Sequence, residues 1–219
     1  MNPKAEAPNA ATAKRAVGRP RHYDEATERE IIVDAAYTVL RDRGDKAMTI
    51  SDILTSAGVS TRSFYRHFGS KDELLCAMYM RDAERAAERM VRRLARAADP
   101  RQAVEMWIDE ILSYTQVGRK AERVNVLGSI LVNRAEGADD VSARGRALLV
   151  TPLAEAIAAG AADGTFTSRN PEADADMVTA VVFNSAGLTW PRDLVTPSAD
   201  ARAAMHEFCL RALGAQPTG

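Results

Sequence analysis

The stretch that most constrains this chain is residues 49–71, TISDILTSAGVSTRSFYRHFGSK. Thr49 stands as an N-cap with Asp52 at the third helical position, a capping box that predicts a helix from Ile50 to Ala57. Ala57-Gly58-Val59 reads as a tight turn in which Gly58 can take a positive φ. Ser60 then caps a second short helix, Thr61 to His67, and Gly69-Ser70 ends it. Ser70 with Glu73 makes another capping box and opens the next helix. Ile53, Ala57, Val59, Phe64 and Phe68 fall on one side and hold the pair together. Thr61, Arg62, Ser63, Tyr65, Arg66 and His67 are left on the outward faces, which carry donors, a guanidinium and a phenol but no carboxylate. Such a surface suits base edges and phosphates in a major groove about 12 Å wide.

Within that surface Arg62 is the candidate for a bidentate contact to guanine. Tyr65 and His67 are placed to reach phosphate oxygens, because a short helix presents only its N-terminal side chains deeply. Ser60, Thr61, Ser63 and Arg66 complete the candidate set on this helix. Lys71 lies in the first turn of the following helix, where free backbone N–H groups also favour a phosphate. A helix pair with a glycine turn can equally be plain packing, with Tyr65 in the core. Two features oppose that reading: the apolar positions have partners without Tyr65 and Arg62, and the charge is one-sided.

The overall net charge of −1 argues against a nucleic-acid binder until it is resolved along the chain. Residues 1–23 hold Lys4, Lys14, Arg15, Arg19 and Arg21 against Glu6, so 5 − 1 gives +4. Residues 46–71 hold Lys46, Arg62, Arg66 and Lys71 against Asp52, so 4 − 1 gives +3. The remainder is net acidic, so positive charge is concentrated where phosphate would be gripped. Residues 1–22 have no hydrophobic period and read as a disordered basic arm. Its Gly18-Arg19-Pro20-Arg21 segment fits a narrow minor groove through Arg19 and Arg21, or else serves as a solubilising tail.

The segment resembles the tetracycline-repressor (TetR) family of bacterial transcriptional regulators. The family pattern T-x-x-x-I-A-x-x-A-G-V-S-x-x-x-[FL]-Y-x-[HY]-F-x-[SN]-K-[DE]-x-L is met by Thr49, Ile53, Ala57, Gly58, Val59, Ser60, Phe64, Tyr65, His67, Phe68, Ser70, Lys71, Asp72 and Leu74. Leu54 departs from it, standing where the family usually has Ala. The resemblance covers roughly residues 24–75. It implies a homodimer, more often a repressor than an activator, answering to a small-molecule effector. It also implies phosphate contacts by Thr49, Tyr65, His67 and Lys71.

Helix formers at helical spacing dominate the rest. Aromatic residues make up only 5% of the chain, so Ala, Leu and Val fill its core and close-packed helices are favoured over a sheet. The expected fold is all-α, with about nine helices. It comprises the basic arm (1–22), a three-helix helix-turn-helix DNA-binding domain (23–75) and a C-terminal helical effector-binding and dimerisation domain (76–215). Helices are predicted over about 24–43, 50–57, 61–67, 71–97, 100–115, 120–134, 139–162, 171–188 and 198–213, with Pro152 kinking or dividing the seventh.

In the second domain Met78, Met90, Met106, Trp107, Tyr114, Asn125 and Asn133 interrupt apolar faces, as an apolar pocket with few polar anchors would require and as an ordinary helical core would also show. Of these, Met78, Met106, Trp107, Tyr114, Asn125 and Asn133 form the candidate effector pocket, which the resemblance places in this domain. The last two helices are apolar on more than one face, through Met177, Val178, Val182, Phe183 and Trp190 and through Phe208, Leu210 and Leu213. A helix of that kind is buried or covered by a partner, and the resemblance makes this pair a four-helix dimer interface. Val178, Val182, Phe183, Trp190, Phe208 and Leu210 are its candidate residues.

No nucleophile motif or phosphate loop appears, and His22, His67 and His206 are too scattered for a metal set, so neither an enzyme nor a cofactor is expected. Cys76 and Cys209 read as buried small hydrophobes in a reducing cytoplasm. No apolar run was expected to span a membrane, which leaves a cytoplasmic protein whose partners are double-stranded operator DNA, a second copy of itself and an unknown small molecule. A regulator without an effector, constitutive or controlled by a protein partner, remains open. So does a helical binding protein with a degenerate DNA head.

Overall fold

The computed structural model describes residues 24–44, 48–115, 138–188 and 196–215, and within them eight helices and no strand. They are α1 (Glu25–Arg43), α2 (Ile50–Ala57), α3 (Thr61–His67), α4 (Lys71–Leu94), α5 (Pro100–Ser113), α6 (Ala138–Asp163), α7 (Pro171–Ser185) and α8 (Ala199–Ala212). The basic arm with Arg19 and Arg21, the helix expected over 120–134 with Asn125 and Asn133, and Trp190 lie outside the described residues.

Caps set the starts of the helices. Asp24, Thr49, Ser60, Ser70, Asp99, Asn170 and Ser198 each accept a backbone N–H of the first turn they precede. Pro100 and Pro171 take first-turn positions, where a missing N–H costs nothing. Ends differ from expectation where backbone turns close early. The helix expected to reach Leu188 stops at Ser185. Gly187 is left-handed (φ 65°), and the Leu188 N–H folds back to the Phe183 carbonyl at 2.8 Å. The helix expected to reach Ala97 ends at Leu94 in two tightened turns, Arg96 to Arg93 and Ala97 to Leu94.

Two cores result, and α4 runs through both. The first gathers Ile32, Val33, Ala36 and Val39 of α1, Met48, Ile53, Phe64 and Phe68, and Leu74, Leu75 and Met78 of α4. On α1 Ile32 and Val33 are both buried, and Ile31 is only partly so. The second core begins about two turns further along α4 with Ala86 and Met90. It continues through Trp107, Ile108, Ile111 and Leu112 of α5, Leu153 and Ile157 of α6, Val178 and Val182 of α7, and Met205, Cys209 and Leu210 of α8. Full burial of each large apolar side chain contributes about 1.5–3 kcal/mol.

Pro152 was expected to kink or divide its helix, yet α6 runs unbroken from Ala138 to Asp163. The proline has no N–H for the Leu148 carbonyl. In the same turn the Leu149 carbonyl accepts the Trp107 indole N–H from α5 at 2.8 Å, so an outside donor serves this stretch of helix. By length and composition residues 139–163 could cross a bilayer, contrary to the expectation that no segment would qualify. In the fold this helix packs against α4, α5 and α7.

Candidate nucleic-acid interface

The local chemistry of α2 and α3 turns a short peptide into a rigid helix pair. Thr49 Oγ1 accepts the Asp52 N–H at 3.2 Å, and Asp52 Oδ2 accepts the Thr49 N–H at 3.3 Å, completing the capping box. Asp52 also takes a 2.7 Å ion pair from Arg43, which ties the start of α2 to the end of α1. The Asp52 carboxyl is held below its ordinary range, first by the Thr49 hydroxyl, then against the pull of burial by the Thr49 N–H and the Arg43 charge. Gly58 ends α2 in the left-handed region (φ 66°), and the chain turns into α3. Ser60 Oγ accepts the Ser63 N–H at 3.1 Å.

Phe64 and Phe68 lock the inner side of α3, 0% and 1% exposed. Thr61, Arg62, Tyr65 and Arg66 stand in solvent on the other side, and Ser63 is half-buried. Tyr65 is 53% exposed with its ring edge-on to Phe64 at 5.3 Å, so its base is fixed and its hydroxyl is free to reach outward. Among the described residues Arg62 has no ion-pair partner, which leaves its guanidinium available to a ligand of α3.

Other expected DNA contacts are already engaged. His67, expected on the outward face, turns inward: its side chain is 3% exposed and its Nε2 lies 2.8 Å from Glu28 Oε2 of α1. Arg66 pairs with that same carboxylate oxygen while remaining exposed. Burial works to raise the Glu28 pKa, but hydrogen bonds from His67, Arg66 and Ser63 and the Arg66 charge outweigh it and leave it lowered. Sequence reasoning missed Glu28, because a carboxylate 38 residues upstream of Arg66 gives no local signal. Lys71 Nζ donates to the Met48 carbonyl at 2.6 Å, spanning the approach to α2. Thr49 and Ser60 spend their hydroxyls on caps.

A bracket behind the head joins it to α4. Arg81 pairs with Glu30 at 2.8 Å and with Asp34, both on α1, and its guanidinium lies over the Tyr37 ring at 4.8 Å. Tyr37 in turn donates its hydroxyl to the Met78 carbonyl of α4 at 2.7 Å.

Four of the expected pocket residues fall within the described residues, Met78, Met106, Trp107 and Tyr114. Met78 is fully buried in the head's core, because α4 enters that core for its first two turns. Trp107 is fully buried in the second core with its N–H spent on Leu149. Tyr114 is 7% exposed and meets Glu110 Oε1 at 3.4 Å. Met106 is half-buried. Of the expected dimer residues, Val178, Val182 and Leu210 are buried within the single chain. Phe183 is half-buried, and Phe208 is 48% exposed. Met177 on α7 is 66% exposed and joins Phe208 as an apolar residue left in solvent. The period is the reason: three or four apolar residues per two turns cover both the inward and outward faces, and only the inward ones are satisfied within one chain.

A short carboxylate-free helix, presented by a capped helix-turn-helix and carried by a helical body, defines the class of helix-turn-helix proteins. Residues 32–78 match the family model described as "Bacterial regulatory proteins, tetR family". The chain is 37% identical over 84 residues to the HTH-type transcriptional regulator BetI of Rhizobium meliloti, a match spanning 38% of this chain and 41% of that protein. The chain thus aligns with about two fifths of the length of that relative. Its fold is similar to RolR solved with resorcinol (TM-score 0.62, 18% identity, 88% of this chain and 90% of that one). It is also similar to a transcriptional regulator from Saccharomonospora viridis solved with choline (TM-score 0.62, 21% identity, 84% and 95%).

Proposed function

We propose that this chain is a homodimeric transcriptional regulator, a repressor that leaves a palindromic operator when a small molecule binds its helical body. The observation that carries the DNA reading is the outer side of α3: Thr61, Arg62 and Tyr65 exposed on a helix whose inner side is locked by Phe64 and Phe68. Arg62 reads a base edge. Thr61, Ser63, Tyr65 and Arg66 take the bases beside it and the phosphates, with Thr49, Ser60, His67 and Lys71 holding the head in shape around them. Arg19 and Arg21 add minor-groove contact. One short helix binds weakly, and two spaced by a groove repeat of about 34–36 Å read a palindrome. Met177, Phe183 and Phe208 provide apolar surface for that pairing, and Trp190 is a further candidate from the sequence.

Effector entry is supported more generally, by α4. It contributes to both cores and is bracketed to α1 through Arg81, so a ligand that favours one tilt of α4 changes the separation of the two heads. Met106, Trp107 and Tyr114, with Asn125 and Asn133, are the residues proposed to meet the effector. The regulator acts in the cytoplasm on the nucleoid.

The test is retention of fragments of the cell's own genome by the purified protein, with and without cell extract, over a salt series. Selective retention of a few palindromic fragments is expected, each phosphate contact steepening the salt dependence by about one counterion. Equal, negligible retention of every fragment at low salt overturns the reading.

A further inference from the structure

We propose that the cleft between α5 and the start of α8 binds a small carboxylate carrying a neighbouring hydrogen-bond donor, as hydroxy acids and amino acids do. The cleft holds about 380 Å³ and is lined by Asp109, Pro197, Ala199, Arg202, Ala203 and His206.

The polar groups in it are arranged but unfinished. Arg202 and His206 are one turn apart on α8 and face Asp109 of α5. Arg202 Nη1 is 3.7 Å and His206 Nε2 is 3.2 Å from the same oxygen, Asp109 Oδ1. Oδ1 and Nε2 are both shielded from solvent, yet neither has a hydrogen-bond partner among the described residues, because the pair is close without being aligned. The two atoms shield each other while unaligned, a desolvation cost that falls when a ligand held by the exposed parts of Arg202 and Asp109 draws the pair into line.

The signs of the groups select the ligand. A bare carboxylate gains Arg202 and His206 but meets Asp109. A bare cation gains Asp109 but meets Arg202. A molecule with both functions satisfies both helices, its carboxylate against Arg202 and its hydroxyl or ammonium against Asp109. Pro197, Ala199 and Ala203 are small and leave room for a short apolar remainder.

The experiment measures thermal unfolding of the full chain with glycolate, L-lactate, glycine and L-alanine, against acetate and ethanolamine, which each carry half of the pattern. The expected result is a rise of about 3–5 °C with at least one two-function probe at about ten times its dissociation constant, and under about 1 °C with either half. Arg202→Gln and Asp109→Asn are expected to weaken the response at least about tenfold in concentration. In the wild type, the imidazole nitrogen resonances of His206 are expected to move on saturation with the same probe, a readout that does not depend on a variant folding. Stationary resonances, no rise with any two-function probe, an equal rise with acetate or ethanolamine, or an undiminished rise in both variants overturns the proposal and leaves the cleft to bridging water. Binding with no change in operator affinity leaves it standing, so its outcome separates from that of the DNA reading.

Discussion

Glu28 of α1 and His67 of α3 meet 2.8 Å apart on the inner side of α3, with the imidazole almost wholly enclosed and Arg66 closing on the same carboxylate. The pair fixes the C-terminal turn of a helix too short to be stable on its own propensity. Glu28→Ala strands the enclosed imidazole and is expected to cost about 1–2 kcal/mol in urea denaturation. The pH dependence follows from the lowered Glu28 pKa. A depressed carboxylate contributes stability that is complete above its ordinary value of 4.5 and is lost as pH falls through the lower folded value. The stability difference between wild type and Glu28→Gln should therefore shrink as pH falls below about 4.5. A difference that kept growing below that pH would refute the assignment.

Arg62 and Tyr65 separate reading from folding, since both are exposed and no backbone depends on them. Arg62→Ala is expected to weaken operator binding by about 1–3 kcal/mol and relax preference at one base pair, with the melting temperature unchanged. Tyr65→Phe keeps the ring on Phe64 and removes only the hydroxyl. It should weaken all sequences alike, by about 1 kcal/mol. Fluorescence anisotropy on operator and scrambled duplexes distinguishes the two. Equal loss on both duplexes for Arg62→Ala would remove it from base readout.

What the sequence made legible was local. The capping box at Thr49 and Asp52, the left-handed turn at Gly58 and the Ser60 and Ser70 caps each depend on residues within four positions, and they stand where the pattern put them. Contacts between distant residues left no such trace. Glu28 on His67, Arg81 on Glu30 and Asp34, and the Trp107 indole on the Leu149 carbonyl join positions 39 to 51 residues apart. They also decide the character of residues the pattern had classed as outward or as pocket lining. Met78 shows the same limit in the core. It was expected to line a pocket, but periodicity does not say at which turn a helix leaves one core for the next, and α4 contributes to two.

Gly145 sets how closely α6 approaches α4. A Cβ there would lie 2.5 Å from the Tyr79 ring. Two effects oppose each other in Gly145→Ala. Helix propensity favours alanine by about 0.5–1 kcal/mol, while overpacking costs about 1–3 kcal/mol. Overpacking should prevail and the variant should melt lower. In a Tyr79→Ala background the obstacle is gone, and the same substitution should then raise stability. A double-mutant cycle by thermal denaturation reads the sign directly, and a lower melting point in both backgrounds would contradict the close approach.

The two cysteines are expected to be inert in the native state for one shared reason. Burial pushes the Cys209 thiol up to about 11, in a side chain 1% exposed on the inner face of α8. Burial also raises Cys76, aided by the charges of Asp72 and Glu73 one turn before it on α4. Since the thiolate is the nucleophile, at pH 8 a thiol titrating near 11 is about one part in a thousand reactive, before access is considered. The native protein should therefore leave both thiols unmodified by a chromogenic disulfide reagent over minutes, and release two equivalents on unfolding in urea. Reaction of the native protein should accelerate only as pH climbs toward 11, where charging Cys209 also begins to oppose the packing of α8 on α5 and α7. Rapid native modification of Cys209 at neutral pH would mean that α8 leaves the body far more often than its buried face allows.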